Sequence, residues 1–531
     1  LNTEPAIHPT RKWLGIVAVS LGVALIVVDL TIVNVILAPI IADLSIDSVQ
    51  AQWVQESYAI VFAALLLLAG RLSDLHGARK VFLIGLLVFG VTSLLAALAP
   101  NGGLLIAARF LQGVGGAMIL PTSLALVNAT FTGKARAQAF AVWGSTIGAA
   151  AAVGPLLGGW LADFSWRWAF GVNLPLVALI LGGVLLFIPA SPRTPGGIDM
   201  LGAVLSALGL AALAYAMIEG RTHGWLLTTE PLNLGGFSWS GGLSPIFVLF
   251  LLAAVILFAF WRRQTWLGRT GGEPLMDVRL FAIPSFRNGN VVTLIVGLGE
   301  FGIIAVLPLW LQFVLGYSAL QAGLALCALA VGSFCASGAS FSMAASVPAL
   351  GQVRIGLILE AIGLVLLGAT AATDSAWWWI AIALFVYGIG VGFATAQVTN
   401  VVLADVPAES AGQGSGIQSA ARELGSALGI AVLTTLYFTT LGSNLRDRLD
   451  AAGLPDAQPL SAMVTDSAGS AVSALAADPS TRVIADAASE AMTTGLQISS
   501  YVCAGLLVLA LASTAFISPA RNRSTREVLT P

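Results

Sequence analysis

Fourteen stretches of about 20 apolar residues recur along the chain, each enough to cross the ~30 Å hydrocarbon core of a bilayer. They fall at roughly 13–38, 51–70, 80–99, 103–128, 137–162 and 168–189, then at roughly 199–218, 244–262, 290–315, 319–343, 353–373, 376–403, 411–438 and 496–518. A chain of this kind must satisfy its backbone within each segment, so spanning helices are expected throughout. Only 9% of the 531 residues are charged, against roughly 25% in an average soluble domain. The fold class is therefore an all-α polytopic membrane protein with 14 transmembrane helices.

The cations fix an expected orientation. With both termini in the cytoplasm, 17 of the 24 Lys and Arg fall on the cytoplasmic side, including Arg71, Arg79, Lys80, Lys134 and Arg136. Arg167, Arg221, Arg446, Arg448 and Arg482 fall outside, and Arg109 and Arg422 lie within spans. One missed helix would reverse every later loop, so the asymmetry supports the count. The first apolar run is longer than a signal-peptide core and is read as a retained span. Arg outnumbers Lys 21 to 3, a bias that suggests a GC-rich bacterial genome and hence the inner membrane.

Several classes are excluded. A net charge of −2 speaks against nucleic acid, and no Gly-x-x-x-x-Gly-Lys-Ser/Thr loop offers a phosphate cradle. Cys327, Cys335 and Cys503 lack zinc spacing and read as small core hydrophobes, and three scattered His give no metal site. No cofactor, no metal and no enzymatic activity are expected, so energy must come from an ion gradient.

The fifth stretch, Phe140 to Asp163, carries Gly144, Gly148, Gly154, Gly158 and Gly159, with Pro155 in mid-span. Glycines that strip one helix face let a neighbouring backbone approach closely, and a Pro frees a carbonyl. A bent helix packed at an interface is expected. Three connections are long: 219–243 and 441–495 outside, and the basic 263–290 inside. For 441–495, with apolar residues near Val472, Leu475 and Val483, short helices over the outer mouth and a mobile loop remain equally open.

Between the second and third stretches lies Gly70-Arg-Leu-Ser-Asp74-Leu-His-Gly77-Ala-Arg79-Lys80. Gly77 suits a tight turn, Asp74 can accept from a helix N-terminus, and the cations suit headgroups. Arg109-Phe-Leu-Gln-Gly113-Val-Gly-Gly116 follows in helix 4, Gly-Pro-x-x-Gly-Gly from Gly154 to Gly159 in helix 5, and Asp29-Leu-Thr31-Ile-Val-Asn34 in helix 1. Together these resemble the major facilitator superfamily, and within it the fourteen-helix drug/proton antiporter branch. Leu75 and Ala78 depart from its loop signature, where basic residues are common, and the second copy of that loop, Ser342 to Arg354, has lost its acid.

That resemblance implies two six-helix bundles and two inserted helices. The expected divisions are an N-terminal bundle over 1–190, the inserted pair with flanking loops over 191–287, and a C-terminal bundle over 288–531 that includes 441–495. It also implies substrate near the midplane and alternating access.

Charges inside spans are the strongest functional clue, since each costs about 2.5–3.5 kcal/mol at a helix centre on insertion scales. Asp29, Glu56 and Arg109 are expected to share one outer level of the N-terminal bundle, with Asp29 as proton carrier, Arg109 tuning it and Glu56 accessory. The alternative for that pair is an ion pair that only fixes packing. Glu300, about ten residues into helix 9, is expected as a proton or cation site, and Glu360 as structural. Gly70, Asp74, Gly77, Arg79 and Lys80, with Arg422 and Asp405 near helix 13, are expected to form an inward gate. Candidate cavity residues are Asn34, Tyr58, Phe62, Trp143, Trp310, Gln312, Phe313, Tyr387, Phe393, Gln397 and Asn400, because aromatic faces suit lipophilic or cationic ligands. Trp377, Trp378 and Trp379 form an interfacial belt.

The expected function is proton-coupled export of lipophilic or cationic small molecules across the bacterial inner membrane, with protons and lipids as the other partners. Export of one specific metabolite or lipid is the alternative within the same fold. A non-transporting sensor or scaffold is a third, opposed by the charges kept inside four spans.

Overall fold

In the computed structural model, residues 9–46, 48–162, 164–234, 237–454 and 456–517 are described. The C-terminal Arg521, Arg523 and Arg526, Asp163, and the side chains of Asn34 and Pro155 lie outside the described residues.

The N-terminal spans are α1 (Pro9–Leu44), α2 (Ser48–His76), α3 (Ala78–Ala97), α4 (Gly102–Thr130), α5 (Gly133–Ala162) and the pair α6 (Arg167–Gly171) and α7 (Asn173–Phe187). Next come α8 (Met200–His223), the strands β1 (Leu232–Leu234) and β2 (Phe237–Trp239), which pair antiparallel, and α9 (Pro245–Thr270). The C-terminal set is α10 (Pro284–Phe313), α11 (Ala319–Met343), α12 (Ala349–Thr370), α13 (Trp377–Val402), α14 (Ala411–Ala451), α15 (Ala457–Asp466), α16 (Ala471–Ala477) and α17 (Arg482–Ser513). Among the described residues thirteen helices are long and apolar enough to cross a membrane. The 30-residue α5 holds the place of the fifth expected span.

Packing reveals an internal repeat. In the first half α1 packs on α5, α2 and α3 both pack on α4, and α7 packs on α1 and α3. In the second half α10 packs on α14, α11 and α12 both pack on α13, and α17 packs on α10 and α12. The same six-helix arrangement therefore occurs twice. The halves meet along α2 with α14 and α5 with α11, and α8 pairs with α9 beside α2.

Glycines decide how close those seams lie. A Cβ on Gly144 would stand 2.6 Å from Ala396 Cβ of α13, and one on Gly148 would stand 2.9 Å from Ser333 Cβ of α11. Gly154 instead faces Thr31 and Val28 of α1 inside its own bundle, and Gly159 has nothing within 4 Å. The expected single glycine face is thus corrected. At 3.6 residues per turn Gly154 is rotated about 240° from Gly148, so one helix turns one face to α11 and α13 of the other bundle and another to α1 of its own. Gly144→Leu is expected to abolish transport by wedging the bundles apart. Gly154→Leu should instead lower thermal stability through the α1 contact, and circular dichroism melting beside vesicle transport separates the two.

The segment 441–495 is helical, which decides between the two open expectations. The 41-residue α14 runs about 60 Å at 1.5 Å per residue, twice a bilayer core, so its last turns project beyond it. Leu441, Leu445 and Leu449 line one face at 0% exposure and share a buried core with Val464, Val472, Ala488 and Met492 of α15, α16 and α17. Val483, expected among the apolar contacts, is 60% exposed. Cys335 also departs from expectation: it is exposed, whereas Cys503 is buried. Trp377, Trp378 and Trp379 are all exposed at the start of α13, as an interfacial belt requires.

Candidate functional site

Asp29 and Arg109 are joined inside the N-terminal bundle, at 0% and 1% exposure. Arg109 Nη1 donates to Asp29 Oδ2 at 2.5 Å, and its Nε donates to the Val54 carbonyl at 3.1 Å. Asp29 Oδ1 accepts from Gln112 Nε2 at 2.8 Å and from Asn173 Nδ2 at 3.1 Å. Ser93 Oγ accepts from both amides, at 3.0 and 3.2 Å. The guanidinium lies over the Tyr58 ring, 4.5 Å from its centroid. A buried ion pair offsets its desolvation only when its remaining lone pairs are hydrogen-bonded, and here three donors converge on one carboxylate.

Gln112, Asn173 and Ser93 are the partners of the pair that sequence reasoning missed. Gln112 was within reach, since it follows Arg109 by one helical turn in the helix-4 motif. Asn173 and Ser93 lie within largely apolar runs and become visible only when α3, α4 and α7 close around α1. Glu56 lies near the inserted helices. It faces the α8 side of α2, where Tyr215 feels its charge and Trp53 stacks on Tyr215 with centroids 6.1 Å apart.

The C-terminal bundle has its own buried pair. Arg422 Nη2 donates to Glu300 Oε2 at 3.1 Å, and Thr395 Oγ1 reaches the same oxygen at 3.5 Å. Because α10 begins at Pro284, Glu300 is 16 residues into its helix rather than about ten. Arg422 is likewise 11 residues past the start of α14, about 16 Å from the gate to which it was assigned. Its partner is Glu300, not Asp74.

The contact expected at the gate centres on Asp74. Its Oδ1 accepts from Gly412 N at 2.6 Å and its Oδ2 from Gln413 N at 2.9 Å, so it caps the N-terminus of α14 across the two bundles. A Cβ on Gly416 would stand 3.2 Å from Gly70 Cα and 3.0 Å from the Leu66 carbonyl. Gly77 turns the chain at φ +88°. Arg79 donates through Nη2 to the Leu185 carbonyl at 2.8 Å, so it ties the loop to α7. Lys80 is exposed. Asp405 belongs to a different contact: it accepts from Ser285 Oγ at 2.7 Å and is felt by Arg136.

Arg136 heads a second contact between the bundles on the same face. Its Nε donates to Asn400 Oδ1 at 3.0 Å, and Gln397 Nε2 donates to the Ala137 carbonyl at 3.0 Å. Gln397 and Asn400, expected in a cavity, thus join α13 to α5 in this state. Trp143 donates to Ser123 at 3.0 Å, Trp310 to Thr493 at 3.0 Å and Tyr387 to the Gly299 carbonyl at 3.3 Å. All three rings are core, with exposures of 1% or less. Phe62 stacks on Tyr58 at 5.8 Å and Phe393 is buried. Gln312 donates to Pro308 of its own helix, and Phe313 lies beside Gly469 of the outer cap.

Outside the spans, Asp199 caps α8. Burial works against its charge, but Arg263, the Gly202 N–H and Gln264 hold its carboxyl below the ordinary range, pinning α8 to α9.

This geometry agrees with comparison to known proteins. The description "Major Facilitator Superfamily" matches residues 19–229 and 201–430. The chain belongs to the major facilitator superfamily. Across 511 residues it is 32% identical to the "Multidrug efflux pump LfrA" of Mycolicibacterium smegmatis, covering 95% of this chain and 96% of that one. It is also 32% identical over 452 residues to the "Probable actinorhodin transporter" of Streptomyces coelicolor, covering 83% and 75%. Among solved structures, the human organic anion transporter MFSD10 superposes with a TM-score of 0.60 at 15% identity, covering 96% and 100%. The proton:xylose symporter XylE superposes at 0.59 and 14%, covering 95% of each chain, so both show the major facilitator fold. The protein is a multi-pass membrane transporter rather than an enzyme.

Proposed function

We propose that this transporter exports lipophilic or cationic small molecules from a bacterial cytoplasm across the inner membrane, driven by proton entry. The observation that carries the reading is the Asp29–Arg109 pair, a fully buried acid held by an amide network inside one rocking unit. The named relatives, a multidrug efflux pump and a transporter named for an antibiotic, support export and the small-molecule class.

The cation asymmetry supports a cytoplasmic Asp74 loop, and on that reading the described state is closed inward: Asp74 caps α14, and Arg136 ties α5 to α13. Proton binding at Asp29 would cancel its attraction for Arg109, freeing the guanidinium to shift toward Gln112 Oε1, already 2.7 Å away. That rearrangement changes the packing of α1 against α4 and hence the tilt of the bundle. Glu300 with Arg422 repeats the logic in the second bundle, Glu56 stands beside the inserted helices as an accessory acid, and no cofactor is used.

Inverted vesicles containing the protein are expected to accumulate a fluorescent lipophilic cation only while a proton gradient is present, and to lose it when the gradient is collapsed. Accumulation indifferent to the gradient would reject proton coupling. Lipid copurifying with the protein, with no cation uptake, would favour the specific-metabolite or lipid exporter.

A further inference from the structure

Glu360 is a fully buried carboxyl inside the second bundle to which the exporter reading gives no task. It lies mid-way along α12 at 0% exposure, and neither Oε1 nor Oε2 has a hydrogen-bond partner. Gly390 of α13 makes the room for it, since a Cβ there would stand 2.7 Å from Glu360 Cγ. The titratable and charged groups around it are Tyr387 from α13, Cys503 from α17, Glu300 from α10 and Arg422 from α14, and Glu423 of α14 faces Glu300 and Arg422 in turn. Tyr387 is engaged with the Gly299 carbonyl, and Arg422 with Glu300.

An ionised carboxylate here would bear a desolvation cost of several kcal/mol with no donor to offset it. Replacing such an acid with Leu would remove that cost, so packing alone gives no reason for a carboxyl. A polar stripe leads away from the pair toward the Asp74 face. Ser415, Gln418 and Ser419 recur at helical spacing below Arg422 on α14, all buried, and each carries an oxygen without a partner. Unpartnered buried oxygens in a row are suited to bridging by water.

We propose that Glu360 is a proton-binding site that exchanges its proton with Glu300, and that the Ser415, Gln418 and Ser419 stripe connects the pair to the Asp74 face. This rests on the proton-coupled reading above. In the exchange, the O–H bond of Glu360 breaks and one forms on Glu300. The negative charge passes from Glu300 to Glu360, and Arg422, released by neutral Glu300, becomes the counter-charge. The trio holds one proton and zero net charge before and after. Glu360 thereby gives the second bundle a reserve proton that Glu300, tied to Arg422, does not carry.

The test uses the full-length protein reconstituted in liposomes, with tetraphenylphosphonium as the probe cation. Infrared difference spectra of the wild type are expected to show a neutral-carboxyl C=O band that weakens as pH rises, disappears in Glu360→Gln and shifts in Glu360→Asp. Glu360→Gln should also release one proton fewer per cation bound, read with a pH dye. If no such band depends on Glu360, or if the band ignores pH and Glu360→Gln releases the wild-type number of protons, the proposal is overturned. Glu360→Asp keeps the test decisive should the Gln variant fail to fold. A wild type that moves no cation under a gradient rejects the exporter reading, while the pH response of the band still decides whether Glu360 binds a proton.

Discussion

Asp29→Asn is expected to reduce gradient-driven transport to the level of empty vesicles and, by itself, to destabilise the protein by about 3–5 kcal/mol, because it strands a buried guanidinium. The second effect would mask the first in any assay that reads only activity. Arg109 in that variant keeps Gln112 Oε1 and the Val54 carbonyl as acceptors but loses its only anionic partner among the described residues. Replacing both members, Asp29→Asn with Arg109→Gln, removes the uncompensated charge and should recover most of the lost thermal stability. Transport should not recover with it. A stable double variant that still accumulates cation in a gradient-dependent way would reduce the pair to packing, and thermal melting with vesicle uptake on the same preparations distinguishes the cases.

What the sequence disclosed follows from the physics of each signal. The spans were legible because a bilayer demands a fixed length of apolar chain, and Asp74 was legible because a short loop with Gly, Asp and cations has few uses at a helix turn. The Asp29 with Arg109 pairing was also within reach, since two opposite charges in one half of a membrane each need the other. Glu300, Arg422 and Glu56 show where such reasoning stops. Their depth depends on where a helix starts, and α10 and α14 begin in loops whose polarity hides the first turn. Their partners depend on helix rotation, which apolar spans with weak amphipathicity do not encode. The same ambiguity put Gly154 on one face with Gly144 and Gly148, and put Trp143 and Trp310 in a cavity when each donates its indole N–H to a hydroxyl inside the core.

Gly416→Leu is expected to abolish transport by a different route, by preventing the Asp74 face from closing. The contact there is backbone against backbone: Gly416 meets Gly70 Cα and the Leu66 carbonyl, and Gly412 stands 2.6 Å from Asp74 Oδ1 when given a Cβ. No rotamer change can admit a leucine between main chains, so α2 and α14 must separate, and the two bonds from Gly412 and Gln413 to Asp74 are lost with them. Those bonds satisfy donors at a helix N-terminus, each worth about 1.5–3 kcal/mol as a bond to a charged group. Their loss moves the population toward the inward-open state. Spin labels at the exposed His76 and Glu409 should report a longer distance in Gly416→Leu than in the wild type, and Asp74→Asn should give an intermediate shift because its amide retains one acceptor oxygen. The Asp29 network lies in another part of the bundle and does not touch this seam, so its proton binding should persist in Gly416→Leu while transport is lost. Equal distances in wild type and variant would mean that the α2–α14 crossing does not control closure.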